Sequence, residues 1–225
     1  MIKNKTAFFV YLFSVFTTIA CAPIESHQTV DINKTETYQT PYAGEKTTLS
    51  VGNFENRSNY RQGIFSSGTD RLGSQATTIL KTHLQQTNRF NVVDRENLTQ
   101  AQQEAKYRQQ QQKIKGARYI VTGAITEFGR KSVGDKQLFG ILGSGKTQVA
   151  YAKVSLNLVD IVTSQIIYST QGAAKYSLSQ REVLGFGTDA SYDATLTGKV
   201  LNLAITETVN NITRDIQHGS LIFEQ

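Results

Sequence analysis

From Gly116 to Thr170 the chain reads GARYIVTGAITEFGRKSVGDKQLFGILGSGKTQVAYAKVSLNLVDIVTSQIIYST. Val154, Leu156 and Leu158 alternate there with Ser155, Asn157 and Val159, the period-two pattern of a strand with one buried face. An apolar run, Ala117 to Ile125, precedes it and is the candidate central strand. A glycine-rich excursion lies between the two. After Tyr151–Leu158, a turn at Asp160–Ser164 leads into a further strand over Gln165–Tyr176. This stretch commits the chain to a sheet built from consecutive strands.

Within the excursion, Gly140 to Thr147 spell GILGSGKT, a match to the phosphate-loop pattern. That loop works by geometry: a buried strand delivers the glycines, and a helix starting at the Lys points its N–H groups at the phosphates. Neither flank supplies this. Ser132–Gln137 is polar, and Val149–Asp160 has the strand period. A β-hairpin connection accounts for the octet better than a nucleotide site.

The flanking regions add helices. Thr47–Phe54 reads as a first strand, and Glu55–Asp70 as a long polar loop carrying Tyr60, Ile64 and Phe65. Leu72, Ala76, Ile79, Leu80 and then His83 or Leu84 follow the 3.6-residue period, so a helix is expected over Arg71–Gln86, capped by Thr69 or Asp70. Arg89–Val93 is a short strand. Asp94 is placed to cap a second helix running to Lys113, apolar only near its start. A long helix is expected over Leu196–Ile216, with Leu196, Val200, Leu203, Ala204, Ile205, Val209, Ile212 and Ile216 along one face. His218-Gly219 ends it, and Leu221–Phe223 adds a terminal strand or strap. The expected class is α/β (α+β): a mixed sheet, about three packed helices and two β-hairpin excursions.

The first residues are of another kind. Lys3 and Lys5, the apolar run Ala7–Phe16 and the small residues before Cys21 form the three parts of a secretory signal, residues 1–20. The apolar run is too short to span a bilayer as a helix. Thr18-Ile19-Ala20-Cys21 resembles a bacterial lipobox, with Thr18 where Leu is usual, and it marks Cys21 as the candidate lipidation site. Cys21 is the only cysteine, so no intrachain disulfide is available. With Ala22 behind it, the pattern points to lipid anchoring in the outer membrane. Residues 21–46, rich in Thr and Gln, read as an extended tether, draped or mobile, and 47–225 as the folded domain. The formal charge is +6, or +4 without Lys3 and Lys5, too little for a nucleic-acid surface.

Catalytic patterns are missing. His27, His83 and His218 lack metal-ligand spacing, and there is no H-E-x-x-H, C-x-x-C or G-x-S-x-G. His83 reads as a boundary residue on its helix. The sequence points away from an enzyme and needs no metal or cofactor, apart from the lipid on Cys21.

Taken in order, LSVGNFENRSNYRQGIF, GSQATTILKTHLQQTNRFNVVDRENL, GARYIVTGAITEFG, FGILG, VAYAKVSLNLVDIVTSQIIYS and the C-terminal helix resemble the CsgG family over Thr48–Ile216. That resemblance implies a periplasmic domain whose excursions, 129–153 and 169–194, become membrane hairpins. A nonameric ring would pool them into one barrel that exports curli-type polypeptide subunits passively, without nucleotide. The loop Glu55–Asp70 would form the constriction, with Tyr60, Ile64 and Phe65 as candidates. Implied partners are copies of the same chain, outer-membrane lipid, the secreted polypeptide and periplasmic accessory proteins. A barrel strand crosses a membrane in about 9–11 residues, so each excursion has room for two arms and a tip. Arg130, Lys131, Asp135 and Lys136 cluster on one arm, where a lipid-facing charge is costly. The alternative is a non-pore periplasmic lipoprotein acting as an envelope-assembly scaffold or binding module.

Overall fold

The computed structural model describes residues 32–60, 70–136, 144–181 and 195–223. Five strands and three helices follow one another as β1 (Thr47–Asn56), α1 (Arg71–Gln86), β2 (Phe90–Val93), α2 (Leu98–Tyr107), β3 (Tyr119–Lys136), β4 (Ser144–Asp160), β5 (Ile166–Arg181) and α3 (Thr195–Gln217). The strands form one mixed sheet in the order β2-β1-β3-β4-β5. β1 runs parallel to both β2 and β3, and the β3–β4 and β4–β5 pairs are antiparallel. Helical crossovers serve the parallel pairs and short connections the antiparallel ones, as chain geometry requires. Among the described residues the sheet is open and no barrel is present.

Packing follows the alternation. Along β4, Ala150, Ala152, Val154, Leu156 and Leu158 are buried while the odd-numbered positions between them are not. β3 changes phase. Tyr119, Val121 and Ile125 are buried, then Phe128, because an extra residue between Ile125 and Glu127 shifts the register against β4. Such a bulge turns the next residues over by one position. Ile125 therefore faces Val154 and Phe128 faces Ala152, both on the buried side.

That side carries α1 and α3. Asp70 caps α1: its Oδ1 accepts from the Gly73 N–H at 2.8 Å, and its Oδ2 accepts from the Asn56 N–H at 2.7 Å. One carboxylate thus satisfies an orphan donor at the helix start and ties it to the end of β1. Leu72, Ala76, Leu80 and Leu84 of α1 meet Leu196, Val200, Leu201, Ala204 and Ile205 of α3 in the same core. Leu201 joins that face outside the expected set, and Leu203 is only half-buried, so the stripe on α3 turns between the sheet and α1.

Several boundaries move. β3, β4 and β5 are longer than their apolar runs, because ladder hydrogen bonds continue after the core ends. The second helix does not span Asp94–Lys113; it is only Leu98–Tyr107, and none of its residues is buried. Asp94 is not its cap. The Asp94 side chain accepts instead from the Glu96 N–H and Asn97 Nδ2 in the turn before it. Leu221–Phe223 is a strap rather than a strand: Phe223 sets its ring 5.3 Å from Tyr119 and 6.1 Å from Phe90.

Candidate functional site: ribbon, strap and helix seam

The region with most to offer is the part of the sheet that continues past the helices. α3 runs antiparallel to β5. Tyr168 donates its hydroxyl to Asp215 near the C-terminal end of α3, and Lys199 near its start lies 5.3 Å from the Tyr176 ring. On β3, Arg130 Nη1 donates to Thr197 Oγ1 at 3.3 Å. Beyond that level β3 goes on to Lys136, β4 begins at Ser144, and β5 goes on to Arg181. Their ladder stays in register to Lys136↔Ser144 and Gly145↔Arg181. At about 3.4 Å per residue, the six positions of β3 past Arg130 reach about 20 Å further.

This ribbon differs from the core in chemistry. Its residues on the helix-free face include Glu127, Lys131, Val133, Thr147, Val149, Tyr151, Lys153 and Ser177, a mixed set rather than an apolar band. Thr147 and Ser179 share a hydrogen bond of 3.1 Å, and Lys153 lies 3.5 Å from Glu127. Gly129 is directly opposite Tyr151, and a β-carbon on it would sit 2.3 Å from Tyr151 Cε1. The Tyr ring therefore lies over the glycine backbone, covering a weak point in the ladder.

A second feature is the segment before β1. Its sequence reads as tether, yet residues 33–42 lie against the chain's own helices. Thr35 and Thr37 are buried. The Glu36 N–H donates to Asn210 Oδ1 at 3.0 Å, Asn202 Nδ2 donates to the Asn33 carbonyl at 3.3 Å, and the Gln39 N–H donates to the Gln86 carbonyl at 2.9 Å. Arg89 Nη1 donates to Thr40 Oγ1 at 3.0 Å. This strap crosses α3 between Asn202 and Asn210 and then the end of α1 before entering β1.

His83 sits at the seam between α1 and α3 and is 3% exposed, a core residue rather than the boundary residue that its spacing suggests. Its Nε2 is 2.9 Å from Asn202 Oδ1 and 3.2 Å from Thr206 Oγ1. Asn202 Oδ1 only accepts, so Nε2 carries the proton and Nδ1 is left bare, without a hydrogen-bond partner. Burial pushes the His83 pKa below its ordinary value, against a smaller opposing effect of the Asn202 hydrogen bond. Burial, with the hydrogen bond to Asp215, raises Tyr168 to about 12, so this phenol is a donor and not a base.

The expected sites fall out unevenly. Tyr60 rests on the domain, its ring 4.7 Å from Phe128. Ile64, Phe65 and Cys21 lie outside the described residues. The GILGSGKT octet has no phosphate-loop geometry at its end: Lys146 stands in β4, opposite Gly134 and Gln180, and the chain continues as strand to Asp160. A helix N-terminus there is replaced by strand, as the alternation implies. Sequence reasoning missed the strap, whose composition carries no periodicity, and the Gly129–Tyr151 cover, whose signal is only a glycine in a strand.

Among the described residues no group of three or more His, Cys, Asp or Glu is arranged to hold a metal. No helix among them is long and apolar enough to cross a membrane, which says nothing of crossing by strands. A groove of about 250 Å³ lies between α2 and residues 112–115, lined by Asp94, Arg95, Leu98, Ala101, Lys113 and Ile114. It brings together no catalytic pair.

Comparison with known proteins bears on the whole domain. A Neisseria meningitidis serogroup B protein named as a lipoprotein, NMB1126/NMB1164, is 57% identical over 196 residues, covering 87% of this chain and 88% of its own. Solved structures that the chain matches include a dodecamer of a PelC point variant from Paraburkholderia phytofirmans, at 15% identity and TM-score 0.36, covering 80% of this chain and 93% of that one. Lipoprotein GNA1162 from Neisseria meningitidis matches at 16% identity and TM-score 0.34, covering 76% and 99% respectively. The model of the family "Curli production assembly/transport component CsgG" matches residues 31–222, and the chain is a member of the CsgG family.

Proposed function

We propose that this chain is a lipid-anchored outer-membrane component of polypeptide export, working as a homo-oligomeric ring, passively and without nucleotide. The observation that carries the reading is the membership of almost the whole domain, residues 31–222, in a family described by curli assembly and transport. The name of the Neisseria relative supports the lipid anchor. In this reading residues 1–20 are a cleaved signal, Cys21 is acylated, residues 21–46 include the tether, and 47–225 is the working domain on the periplasmic side. Neighbouring copies join through the ribbon, in a ring of the nonameric kind. The arms at 129–153 and 169–194 supply its wall, and Tyr60, Ile64 and Phe65 contribute to its constriction. Its partners are the secreted polypeptide, periplasmic accessory proteins and outer-membrane lipid, not nucleic acid. One chain cannot close a wide barrel, so a pore requires oligomerisation.

A second reading is favoured by one observation. The described ribbon carries a mixture of charged, polar and apolar residues on its helix-free face, whereas a membrane-crossing wall needs an apolar one. In that case the domain is a non-pore periplasmic scaffold or binding module for envelope assembly. Planar-bilayer conductance of detergent-extracted protein, with a Cys21→Ala control and electron microscopy, separates the two. Uniform large conductance steps from ring-shaped particles support the channel. Silent bilayers and compact particles overturn it in favour of the scaffold.

A further inference from the structure

Charge is distributed very unevenly over this fold. The ribbon end comprises β3 from Gly129, the first part of β4 to Tyr151, β5 from Lys175 and the first two turns of α3. Its sequence positions include the cations Arg130, Lys131, Lys136, Lys146, Lys175, Arg181 and Lys199, with Asp135 as the only carboxylate. Those positions carry a net +6, equal to the net charge of the entire chain, so everything else sums to zero. The connection 182–194, outside the described residues, adds Glu182, Asp189 and Asp193; counted in full they leave this end at +3.

The described side chains give that charge a shape. Lys131 and Lys175 are exposed on the helix-free face. Arg130 and Lys199 lie on the other face at the start of α3, held by Thr197 and the Tyr176 ring respectively. The cations therefore surround the ribbon where it leaves the helix layer.

The strap supplies a direction. Glu36 is bonded to Asn210 and Asn33 to Asn202, so toward the N-terminus the chain moves along α3 from its C-terminal half toward its start. That is the basic end. Cys21 lies twelve residues before Asn33. Twelve residues span at most roughly 40 Å, which limits how far the domain can stand from an acyl anchor.

We propose that the ribbon end, around Lys131, Lys175 and Lys199, is a docking surface for an anionic lipid leaflet. At Asn33 the strap has reached Asn202, on the side of α3 that leads to this end. The direction rests on the reading of Cys21 as the anchor; the lipid chemistry rests on the charge distribution. Clustered Lys and Arg at a membrane surface are attracted to phosphate-bearing headgroups, and each contributes separately. Cations at this level suit the headgroup layer rather than hydrocarbon, where they are costly.

Vesicle flotation tests the surface apart from the anchor. The chain from residue 21 carrying Cys21→Ala, which has no site for a lipid, is mixed with phosphatidylglycerol-rich vesicles or with phosphatidylcholine vesicles, at low and high salt. The expected result is flotation with the anionic vesicles only, weakened by salt. Lys131→Gln lowers the partition coefficient roughly fivefold, and Lys131→Gln, Lys175→Gln and Lys199→Gln together on the order of a hundredfold. Lys106→Gln, Arg108→Gln and Lys113→Gln, at the other end of β3, change it little. Circular dichroism verifies that each variant is folded. Absence of flotation with anionic vesicles, equal flotation with phosphatidylcholine, or an equal loss from the distant triple variant overturns the proposal. Mass spectrometry of Cys21 from membranes reports acylation by itself, so failure of the anchor reading is distinguishable from failure of the docking surface.

Discussion

Gly172 of β5 lies so close to α3 that a β-carbon on it would stand 2.3 Å from the Ala204 carbonyl oxygen. The Thr208 N–H nitrogen would be 2.8 Å away. The helix backbone closes this point together with Thr208 Oγ1, 2.5 Å from such a β-carbon and itself bonded to the Ala204 carbonyl. Gly172→Ala is therefore expected to push helix from sheet and to cost about 1–3 kcal/mol, the usual range for overpacking. Urea denaturation measures it. Gly116→Ala, where a β-carbon meets nothing within 4 Å, serves as the control and is expected to leave the midpoint unchanged.

The strap makes a separate prediction. Asn210 is buried and its Oδ1 is the acceptor for the Glu36 N–H. Asn210→Ala removes that acceptor at a cost of about 1 kcal/mol. It also loosens residues 33–42, so trypsin should cut after Lys34 faster than in the parent. Equal cleavage rates would show that the strap is held by other contacts.

Stability should fall with acid in two stages. His83 has a folded pKa below 6.5, so under acid conditions the unfolded chain binds the proton more readily. Its contribution is complete above 6.5 and is lost as pH falls below that value and through the lower folded one. His83→Gln is expected to flatten this stage in denaturation curves taken across the pH range. Asp160 supplies the second stage. The Thr163 N–H chiefly holds its carboxyl below the ordinary 3.8, with burial opposing and Val162 and Arg118 assisting. Its contribution is present above 3.8 and goes as pH falls through the depressed value, a step that Asp160→Asn should remove.

Tyr60 can be tested without assuming a pore. Its ring contact with Phe128 predicts that Tyr60→Ala destabilises the domain by about 0.5–1.5 kcal/mol or more. Tyr60→Phe keeps the ring and should retain most of the stability. A Tyr60→Ala variant as stable as the parent would mean that the contact carries no weight, leaving the side chain available to a constriction.

What the sequence made legible was what repeats. Val154, Leu156 and Leu158 declared β4, and the face of α3 was largely visible because its apolar residues recur at helical spacing. Asp70, one of the two caps that the sequence offered beside Thr69, is the one that the structure uses. Three things were hidden, each for a physical reason. The reach of β3 and β5 past the core rests on backbone hydrogen bonds, which side-chain type does not report. The bulge before Glu127 inverts the alternation halfway along β3, so no single period fits it. His83 has the spacing of a boundary residue because its partners, Asn202 and Thr206, lie more than a hundred residues away on α3. Of the candidate site, the rejection of a phosphate loop was readable from the strand period after Thr147, whereas the docking of residues 33–42 onto α1 and α3 was not.

The ladder between β4 and β5 stays in one register from Gly145↔Arg181 to Leu158↔Tyr168. The same two strands thus form the floor of the core and the projecting arm. An arm hinged on a loop could swing while the body stood still; here there is no joint at which to swing. The arm behaves as a cantilever whose root is clamped between α3 and the core. Its angle is set by the twist of the sheet. A load applied at the free end is carried inward as strain on Leu156, Leu158 and the helix pressed against Gly172.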